Sequence, residues 1–327
     1  MNNVFDPDTH KTGNAPDPTL VSSADMVGGL DAAGRPKGFD VAYSLYNRFG
    51  FFPRRIIAPR FTGLAGVRAK MEVVANNVRG HAIVDLPTGI TVQQAIEARA
   101  VNGGYNTASN RVVLCFPRVK ALDAATGDLS LQPFSQHFAG VWNCSVSQKG
   151  PHESPSNVEM ADVKGTEIDI RFMPGSYSTD TNLLNEAGIV TTMTYYGTGL
   201  HTWGASSTAW PTLKDEASWL HGRAVMDVID DAVLFYMMPY IDRLATLRNF
   251  EPIEERVNAW LASKVKDSWL YGGVFSFNRA KTTADEIVNQ GRVHWSLKRE
   301  PVGIMHRATI ESTTDIAFVK QALQLAA

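Results

Sequence analysis

Strand patterns alternate with helical patterns through the first half of this 327-residue chain. Short apolar runs, typical of buried strands, lie at 56–58, 82–86 and 111–116. Between them, apolar residues recur at helical spacing over 64–78 and 91–100. Strands that alternate with helices form parallel sheets, because each helix returns the chain to the starting end of the sheet. The pattern therefore predicts an α/β domain, a doubly wound mixed sheet with helices on both faces.

The stretch 182–204 places a helix end, a strand and a tight turn in direct succession. Gly188 stands where a helix commonly ends in a left-handed C-cap, and 189–195 is rich in β-branched and aromatic residues. The turn that follows contains Trp203 and Gly204. Because a large ring between glycines can fill the seam between two packed units, we predict that Trp203, with Gly204, anchors a domain junction.

The pattern after residue 204 is that of an α+β domain with two long helices and a small sheet. Long helices are predicted over 219–247 and 251–271, the second with Pro252 near its start. The other predicted elements are short, with strands at 274–277, 293–297 and 304–310 and helices at 282–289 and 315–325.

Length supports two domains, because 327 residues is about twice a typical domain. Residues 1–24 contain several prolines and few core candidates, so we interpret them as an extended lead-in or N-terminal arm. We assign the α/β domain to 25–203 and the α+β domain, with its C-terminal strand or arm, to 204–327.

Composition and charge exclude several classes of partner. The net charge is −2 and no long basic run occurs, so nucleic-acid binding is not expected. The N-terminus lacks an apolar signal segment, and the apolar run 232–241 is too short to span a bilayer, so no membrane insertion is expected. Cys115 lies in an apolar run and Cys144 is distant from it, which favours free thiols and a reducing cytoplasm.

No catalytic or nucleotide-binding motif is complete. The Gly-Thr-Gly at 197–199 lacks the third glycine of a dinucleotide loop, and neither a Walker A nor a G-x-S-x-G pattern occurs. Asp85 follows a strand, as the acid of a triad could. Its possible partners His81, His201 and His221 open no matching motif, so Asp85 is interpreted as a strand-end turn residue. We expect no catalytic residue and no cofactor.

The remaining charged residues have structural interpretations. The eight histidines lack metal-ligand spacing, and His294 and His306 are expected to pack across neighbouring strands, so we expect no metal. Asp227 and Asp231 share one helix face, together with neighbouring carboxylates, which predicts a solvated face or one aimed at a basic partner. Glu254 is interpreted as an acidic residue of a helix N-terminal turn.

Taken together, the motifs resemble those of the contractile phage tail sheath protein family, which includes the sheaths of pyocin-like particles. The resemblance covers about 25–318, and its specificity comes from the order and spacing of segments at 26–38, 51–59, 81–89, 111–117, 134–157, 182–204 and 292–310. The family usually has an arginine two residues after its Trp-Gly pair, where this chain has Ser206. Larger members carry an N-terminal β-rich region and arm before the point at which this chain starts.

The resemblance implies a mechanical function. Subunits of such sheaths form stacked six-fold rings around an inner tail tube and contract to drive the tube through a cell envelope. The implied partners are further copies of the chain, the tail tube protein, and baseplate and tail terminator proteins. The implied location is the virion tail, with assembly in the host cytoplasm.

The resemblance also implies two surfaces. Terminal arms add strands to small sheets in neighbouring subunits, and the alternating residues Ile304, His306, Ala308 and Ile310 are the candidate inter-subunit strand. The C-terminal domain faces the tube, and the candidate contacts are Lys264, Lys266, Arg279 and Lys281. Two alternatives stay open: a hydrolase or nucleotide-binding enzyme on a doubly wound fold, and a non-polymerising adapter with the sheath fold.

Overall fold

The computed structural model describes residues 10–13, 15–123 and 126–323. Small hairpins and short helices precede the central sheet. They are β1 (Lys11–Thr12), β2 (Ala15–Pro16), α1 (Ser23–Val27), β3 (Gly29–Leu30), β4 (Pro36–Lys37) and α2 (Leu45–Phe49). The predicted lead-in thus ends in a hairpin and a helix start, and residues 1–9, where an N-terminal arm was predicted, lie outside the described residues.

Three parallel strands with two crossover helices come next, as the alternating pattern predicted. They are β5 (Arg55–Ile57), α3 (Ala65–Val78), β6 (His81–Asp85), α4 (Val92–Arg99) and β7 (Val112–Cys115). Thr91 begins α4 with a capping box, in which its hydroxyl accepts from the backbone N–H of Gln94.

A longer excursion separates β7 from the next strand of the sheet. It contains β8 (Val119–Leu122), β9 (Leu129–Gln132), α5 (Phe134–Lys149) and β10 (Val163–Thr166), and its strands form a separate antiparallel sheet in the order β10-β8-β9. The chain then returns through α6 (Asp180–Glu186), β11 (Ile189–Tyr195) and β12 (Gly199–Trp203).

The central sheet has the strand order β12-β11-β7-β6-β5. Four strands are parallel, and β12 pairs antiparallel with β11 at one edge, so the predicted mixed sheet is confirmed. Neighbouring strands of this sheet follow one another in the same order as in the sequence, from β5 at one edge to β12 at the other. Helices nevertheless cover both faces, because α3, α4 and α6 pack on one face and α5 packs on the other.

Alternate residues of each central strand enter two different cores, as the pleat requires. On β6, Ala82 and Val84 face the core formed with α3, α4 and α6. Ile83 faces the opposite core, where α5 contributes Phe138 and Trp142. Cys115 enters this second core as a buried free thiol, as predicted, and burial raises the pKa of that thiol well above its ordinary value.

Two long helices and a hairpin form the C-terminal part. Its elements are α7 (Leu220–Met237), α8 (Leu247–Lys266), β13 (Leu270–Phe277), α9 (Ala284–Gln290), β14 (Trp295–Pro301) and α10 (Ala317–Ala322). Ile229 of α7, Leu261 of α8 and Phe275 of β13 share a third core, which confirms the predicted α+β arrangement. The helix α7 ends at 237 rather than 247, because Pro239 lacks an N–H and clashes with the preceding turn.

The helix α7 joins the two parts, because its residues enter two cores. Leu220 and Ala224 pack with α5 against the central sheet. Val225 and Ile229 pack with α8 and the β13–β14 hairpin. In the described part of the chain, no helix is long and apolar enough to cross a membrane.

The strand predicted at 304–310 is wrong for the single chain, since residues 302–316 form no regular secondary structure. The expected packing of His294 against His306 is also absent. His294 lies 2.9 Å from Glu286, whereas the His306 ring centroid lies 4.8 Å from that of Trp219. Backbone contacts of Val302 with Trp269 and His221 carry the chain away from the hairpin.

Candidate assembly surfaces

The joint between the two parts of the molecule is centred on a buried ion pair. Both terminal nitrogens of Arg111, at the start of β7, donate to the carboxylate of Asp227 on α7 at 2.7 Å. Arg223, one turn earlier on α7, donates to the same carboxylate at 2.6 Å. Asp227 is 2% exposed, so the prediction of a solvated face is wrong and the alternative, a basic partner, is confirmed within the chain.

The neighbouring aspartates of α7 also have arginine partners. Asp231 accepts from Arg54 and Arg79, which flank the N-terminal ends of β5 and β6. Asp230 accepts from Arg299 of β14 at 2.7 Å. Partial burial raises the pKa of Asp230, and Arg299 opposes that rise. One helix face therefore links the central sheet to the hairpin by charge-assisted hydrogen bonds.

Basic and aromatic side chains lie behind this joint. The guanidinium carbon of Arg55 lies 3.4 Å from the centroid of the Trp142 ring, and burial lowers the pKa of Arg55 to about 9. His81 also contacts Trp142, with 4.8 Å between ring centroids. Burial, and then the charge of Arg55, lowers the pKa of His81 well below its ordinary value. His81 is therefore neutral and belongs to the core.

The residues tested as catalytic candidates have structural roles. Asp85 is buried at the end of β6, where it accepts from the backbone N–H and hydroxyl of Ser135 in the first turn of α5. It is thus a strand-end residue whose carboxylate caps the N-terminus of α5. The ring of His221 contacts the Val302 carbonyl oxygen at 2.9 Å. In the part of the chain that the structure describes, no group of His, Cys, Asp and Glu is arranged to hold a metal ion.

Trp203 lies in the wall of a groove and is half-buried rather than fully buried. Its ring centroid lies 6.2 Å from that of Phe172. The Asn185 amide, in the orientation that satisfies both of its polar atoms, accepts from the indole N–H of Trp203 at 2.9 Å. Gly204 has a φ of +130°, and a Cβ there would lie 2.8 Å from Asn185, which explains the glycine.

The groove has a volume of about 420 Å³, and part of its lining is the chain's own segment 304–308. Arg307 of this segment donates to Glu186 at 3.2 Å. His306 lies beside Trp219 and Trp210, at centroid distances of 4.8 and 6.0 Å. Trp203 thus lines the same groove as residues 304–308, and its role as a domain anchor stays a prediction.

Beyond this point the chain is exposed. Residues 308–316 form no regular structure, and Ile310 is 87% exposed. Apolar residues in and around α10 are exposed as well, among them Ile316, Phe318 and Leu323. The candidate inter-subunit residues are therefore divided: Ile304, His306 and Ala308 line the groove, whereas Ile310 lies beyond it.

The four candidate tube contacts do not form one cluster. Lys264 donates to Asp267 at 2.7 Å and lies 4.5 Å from the Trp269 ring centroid, at the end of the hairpin nearest the central sheet. Lys266 is exposed nearby. Arg279 and Lys281 lie at the far end, beyond β13, where no ion pair to either is formed by the described residues. Strand geometry separates the two ends by roughly 25–30 Å.

The chain matches the model of the phage tail sheath protein central domain over residues 34–208. This stretch is more than half of the chain and contains the central sheet. The chain belongs to the phage tail sheath protein family.

Relatives and solved structures are consistent with this membership. The chain is 33% identical over 273 residues to the tail sheath protein of Burkholderia phage BcepMu, covering 83% of this chain and 57% of that protein. It is 29% identical over 281 residues to a putative prophage major tail sheath protein of Pseudomonas aeruginosa, covering 84% and 68%. The chain thus spans a little over half the length of the first of these relatives.

The fold is that of contractile sheath proteins. The contracted helical sheath of the anti-feeding prophage matches with a TM-score of 0.67 at 16% identity, covering 85% of this chain and 74% of that one. The contracted PVC sheath of an extracellular contractile injection system matches with a TM-score of 0.66 at 18% identity, covering 85% and 75%.

The features of this chain that sequence reasoning missed are contacts between distant segments. The Arg111–Asp227 pair joins residues 116 positions apart. Glu254, interpreted as an N-terminal turn residue, instead lies within α8 and accepts from the Phe277 backbone N–H, because α8 begins at Leu247. At the family's arginine position, Ser206 is 5% exposed and pairs with Trp219 in an isolated bridge.

Proposed function

We propose that this chain is a structural subunit of a contractile tail sheath, polymerising as stacked six-fold rings around an inner tail tube. Contraction of the assembly would drive the tube through a cell envelope. The observation that carries the proposal is an exposed tail segment at 308–316, without regular secondary structure, in a sheath fold that also carries a two-stranded hairpin. A strand that leaves one subunit and completes a sheet in another links subunits without a large rigid interface.

The linkage suits a sheath that must rearrange. Each added strand makes every further contact of the same subunit effectively intramolecular, so many weak contacts give a strong assembly. The subunits can then rotate while they stay connected, and the extended assembly can be a metastable state that contraction relieves. Partners under this proposal are further copies of the chain, the tail tube protein, and baseplate and tail terminator proteins. The site of action is the virion tail, after assembly in the host cytoplasm.

The decisive test is assembly with and without the tube protein, observed by negative-stain microscopy. We expect tubes or stacked rings at high protein concentration, and more of them when the tube protein is present. A chain that stays monomeric under both conditions would contradict the proposal. A chain that forms a single ring and no stack would instead support the alternative function, a non-polymerising adapter with the sheath fold.

We further propose that the far end of the C-terminal domain, with Arg279 and Lys281, contacts the tube. This end projects away from the central sheet, and both side chains are exposed. Exposed ion pairs contribute about 0–1 kcal/mol each, so such a contact can release stepwise on contraction.

Charge reversal tests this surface. Arg279→Glu with Lys281→Glu is expected to reduce co-assembly with the tube protein while the circular dichroism spectrum is unchanged. Lys266→Glu, at the other end of the hairpin, is the matched control and should co-assemble normally. If the control alone fails, the tube contacts the end near Lys266 and the assignment is wrong.

A further inference from the structure

The β13–β14 hairpin has one edge that its own helix closes. On the β13 side, the side chain of Asn258 both accepts from the N–H and donates to the C=O of Phe275, each at 2.8 Å. Glu254, one helical turn earlier, accepts from the N–H of Phe277. Two side chains of α8 therefore occupy the backbone groups of this closed edge.

The β14 edge of the same hairpin is open. The N–H of Asn278 donates to the C=O of His294 at 2.9 Å, which makes 278 and 294 a hydrogen-bonded pair. Backbone groups alternate in direction along antiparallel strands, so those of Trp295, Leu297 and Arg299 point away from β13. Among the described residues, none makes a hydrogen bond with these outward groups.

The chain's own tail has a pattern that suits this open edge. If the chain reversed direction at 302–303, Ile310 would lie opposite Trp295 and Ala308 opposite Leu297, on the face that packs against the third core. Ile310, which is 87% exposed, would then be covered. Closing so short a loop costs little entropy, and a tethered segment has a high effective concentration. Self-pairing is therefore the competitor that a free subunit must suppress if its tail is to contact other copies.

The structure directs the tail away from this pairing at its first residue. The N–H of Val302 donates to the C=O of Trp269 at 3.1 Å, which continues the hairpin ladder past Pro301 in the direction of β14. The carbonyl oxygen of Val302 contacts the ring of His221 at 2.9 Å. The chain thus runs straight on from β14 toward the groove and does not turn back.

Aromatic rings then hold the next residues in the groove. The His306 ring centroid lies 4.8 Å from that of Trp219 and 6.0 Å from that of Trp210. The two tryptophan rings lie 5.3 Å apart, so His306 rests on a preformed aromatic pair. Ring contacts of this kind depend on geometry, and a reversed chain would place His306 beside Arg299 instead.

The following residue is held by charge. Arg307 donates to Glu186 at 3.2 Å, and its guanidinium carbon lies 5.8 Å from the centroid of the Tyr177 ring. Both charged side chains are about half exposed, so this ion pair is weak. The contacts of 304–307 together can hold the tail of a free subunit and still release it.

We propose that residues 304–307 are a latch that keeps the tail off the β14 edge of its own subunit, so that residues 308–323 stay available to other copies of the chain. Glu186, Tyr177, Trp210 and Trp219 are then positioning residues for the tail. The consequence for assembly rests on the proposed function, whereas the latch itself is a property of the free subunit.

Charge reversal and charge swap test the latch. In a His306→Ser background, the hold on the tail rests mainly on the Arg307–Glu186 pair. Glu186→Arg or Arg307→Glu alone then places like charges together, and both substitutions in one chain restore an ion pair. The charge swap is thus the matched control for each single reversal. Hydrogen exchange is measured on the dilute free subunit, and polymer yield is measured by sedimentation at high concentration.

We expect the amides of Trp295, Leu297 and Arg299 to exchange fast in the unmodified chain and in the charge swap. In either single reversal, they should exchange roughly tenfold more slowly or less, because the released tail pairs with β14, and polymer yield should fall severalfold.

Three results would overturn the latch. They are fast exchange in both single reversals, slow exchange in the unmodified chain, and a polymer yield that is equal in the reversals and the swap. If no chain assembles, the unmodified one included, the sheath proposal fails, and the exchange rates of the free subunit still decide whether the latch exists.

Discussion

Asp227 neutralises a buried arginine, so its loss should be costly. We expect Asp227→Asn to lower the free energy of unfolding by on the order of 3 kcal/mol, because Arg111 is then left buried without a countercharge. Urea unfolding monitored by circular dichroism measures this change. Asp242→Asn, at an exposed position after α7, is the control and should cost less than about 0.5 kcal/mol. Equal decreases in the free energy of unfolding of the two variants would mean that the buried Arg111–Asp227 pair contributes no more to stability than an exposed carboxylate does.

His81 should make stability depend on pH between about 7 and 5. Its pKa is lowered in the folded chain and is near 6.5 in the unfolded chain, so below 6.5 only the unfolded chain takes up the proton. The free energy of unfolding therefore falls as pH falls, by up to about 1.4 kcal/mol per pH unit from this residue. His81→Phe should reduce that slope, with a smaller slope remaining because burial also lowers the pKa of His221. An unchanged slope in His81→Phe would contradict the assignment of this pH dependence to a buried, neutral His81.

The hairpin depends on α8 for the hydrogen bonds of its closed edge. Asn258→Leu leaves the N–H and C=O of Phe275 without partners in a half-buried place, and should lower the free energy of unfolding by about 1–3 kcal/mol. Glu255→Leu, on the exposed side of the same helix, tests whether an added apolar side chain alone has this effect. Chemical denaturation of the two variants decides, and a loss confined to Glu255→Leu would refute the role of Asn258.

Deletion of the exposed C-terminal segment should impair assembly of the molecule but not its folding. Truncation after Arg307 removes the exposed segment and α10 but keeps all three cores and the groove contacts of His306 and Arg307. We therefore expect a melting temperature within a few degrees of the full chain and a loss of sheath-like polymers in sedimentation. Truncation after Pro301 removes the groove contacts as well and should be less stable. Polymers formed by the chain truncated after Arg307 would exclude 308–323 as the linking segment.

Local sequence patterns were sufficient to predict the layers of this protein. Strands such as β6 and β7 are short apolar runs, and α4 begins at a Thr91 cap, because burial and capping depend on residues close together in the chain. Asp85 was recognised as a strand-end residue for the same reason. The end of α7 was misplaced although Pro239 marks it, since the apolar pattern continues past the proline.

Tertiary structure alone decided which of the charged and terminal residues meet. Asp227 gave the same i, i+4 signal as a solvated carboxylate, and only the packing of α7 on the sheet brought it to Arg111, 116 residues away. Glu254 and Asn258 became edge-closing groups because α8 lies beside β13. The tail illustrates the same limit: its alternation predicted a strand, but a strand needs an edge to pair with, and in one chain residues 304–308 contact a groove instead. Periodicity determines which face of an element is apolar, whereas the partner of a polar or edge group depends on contacts between segments far apart in sequence.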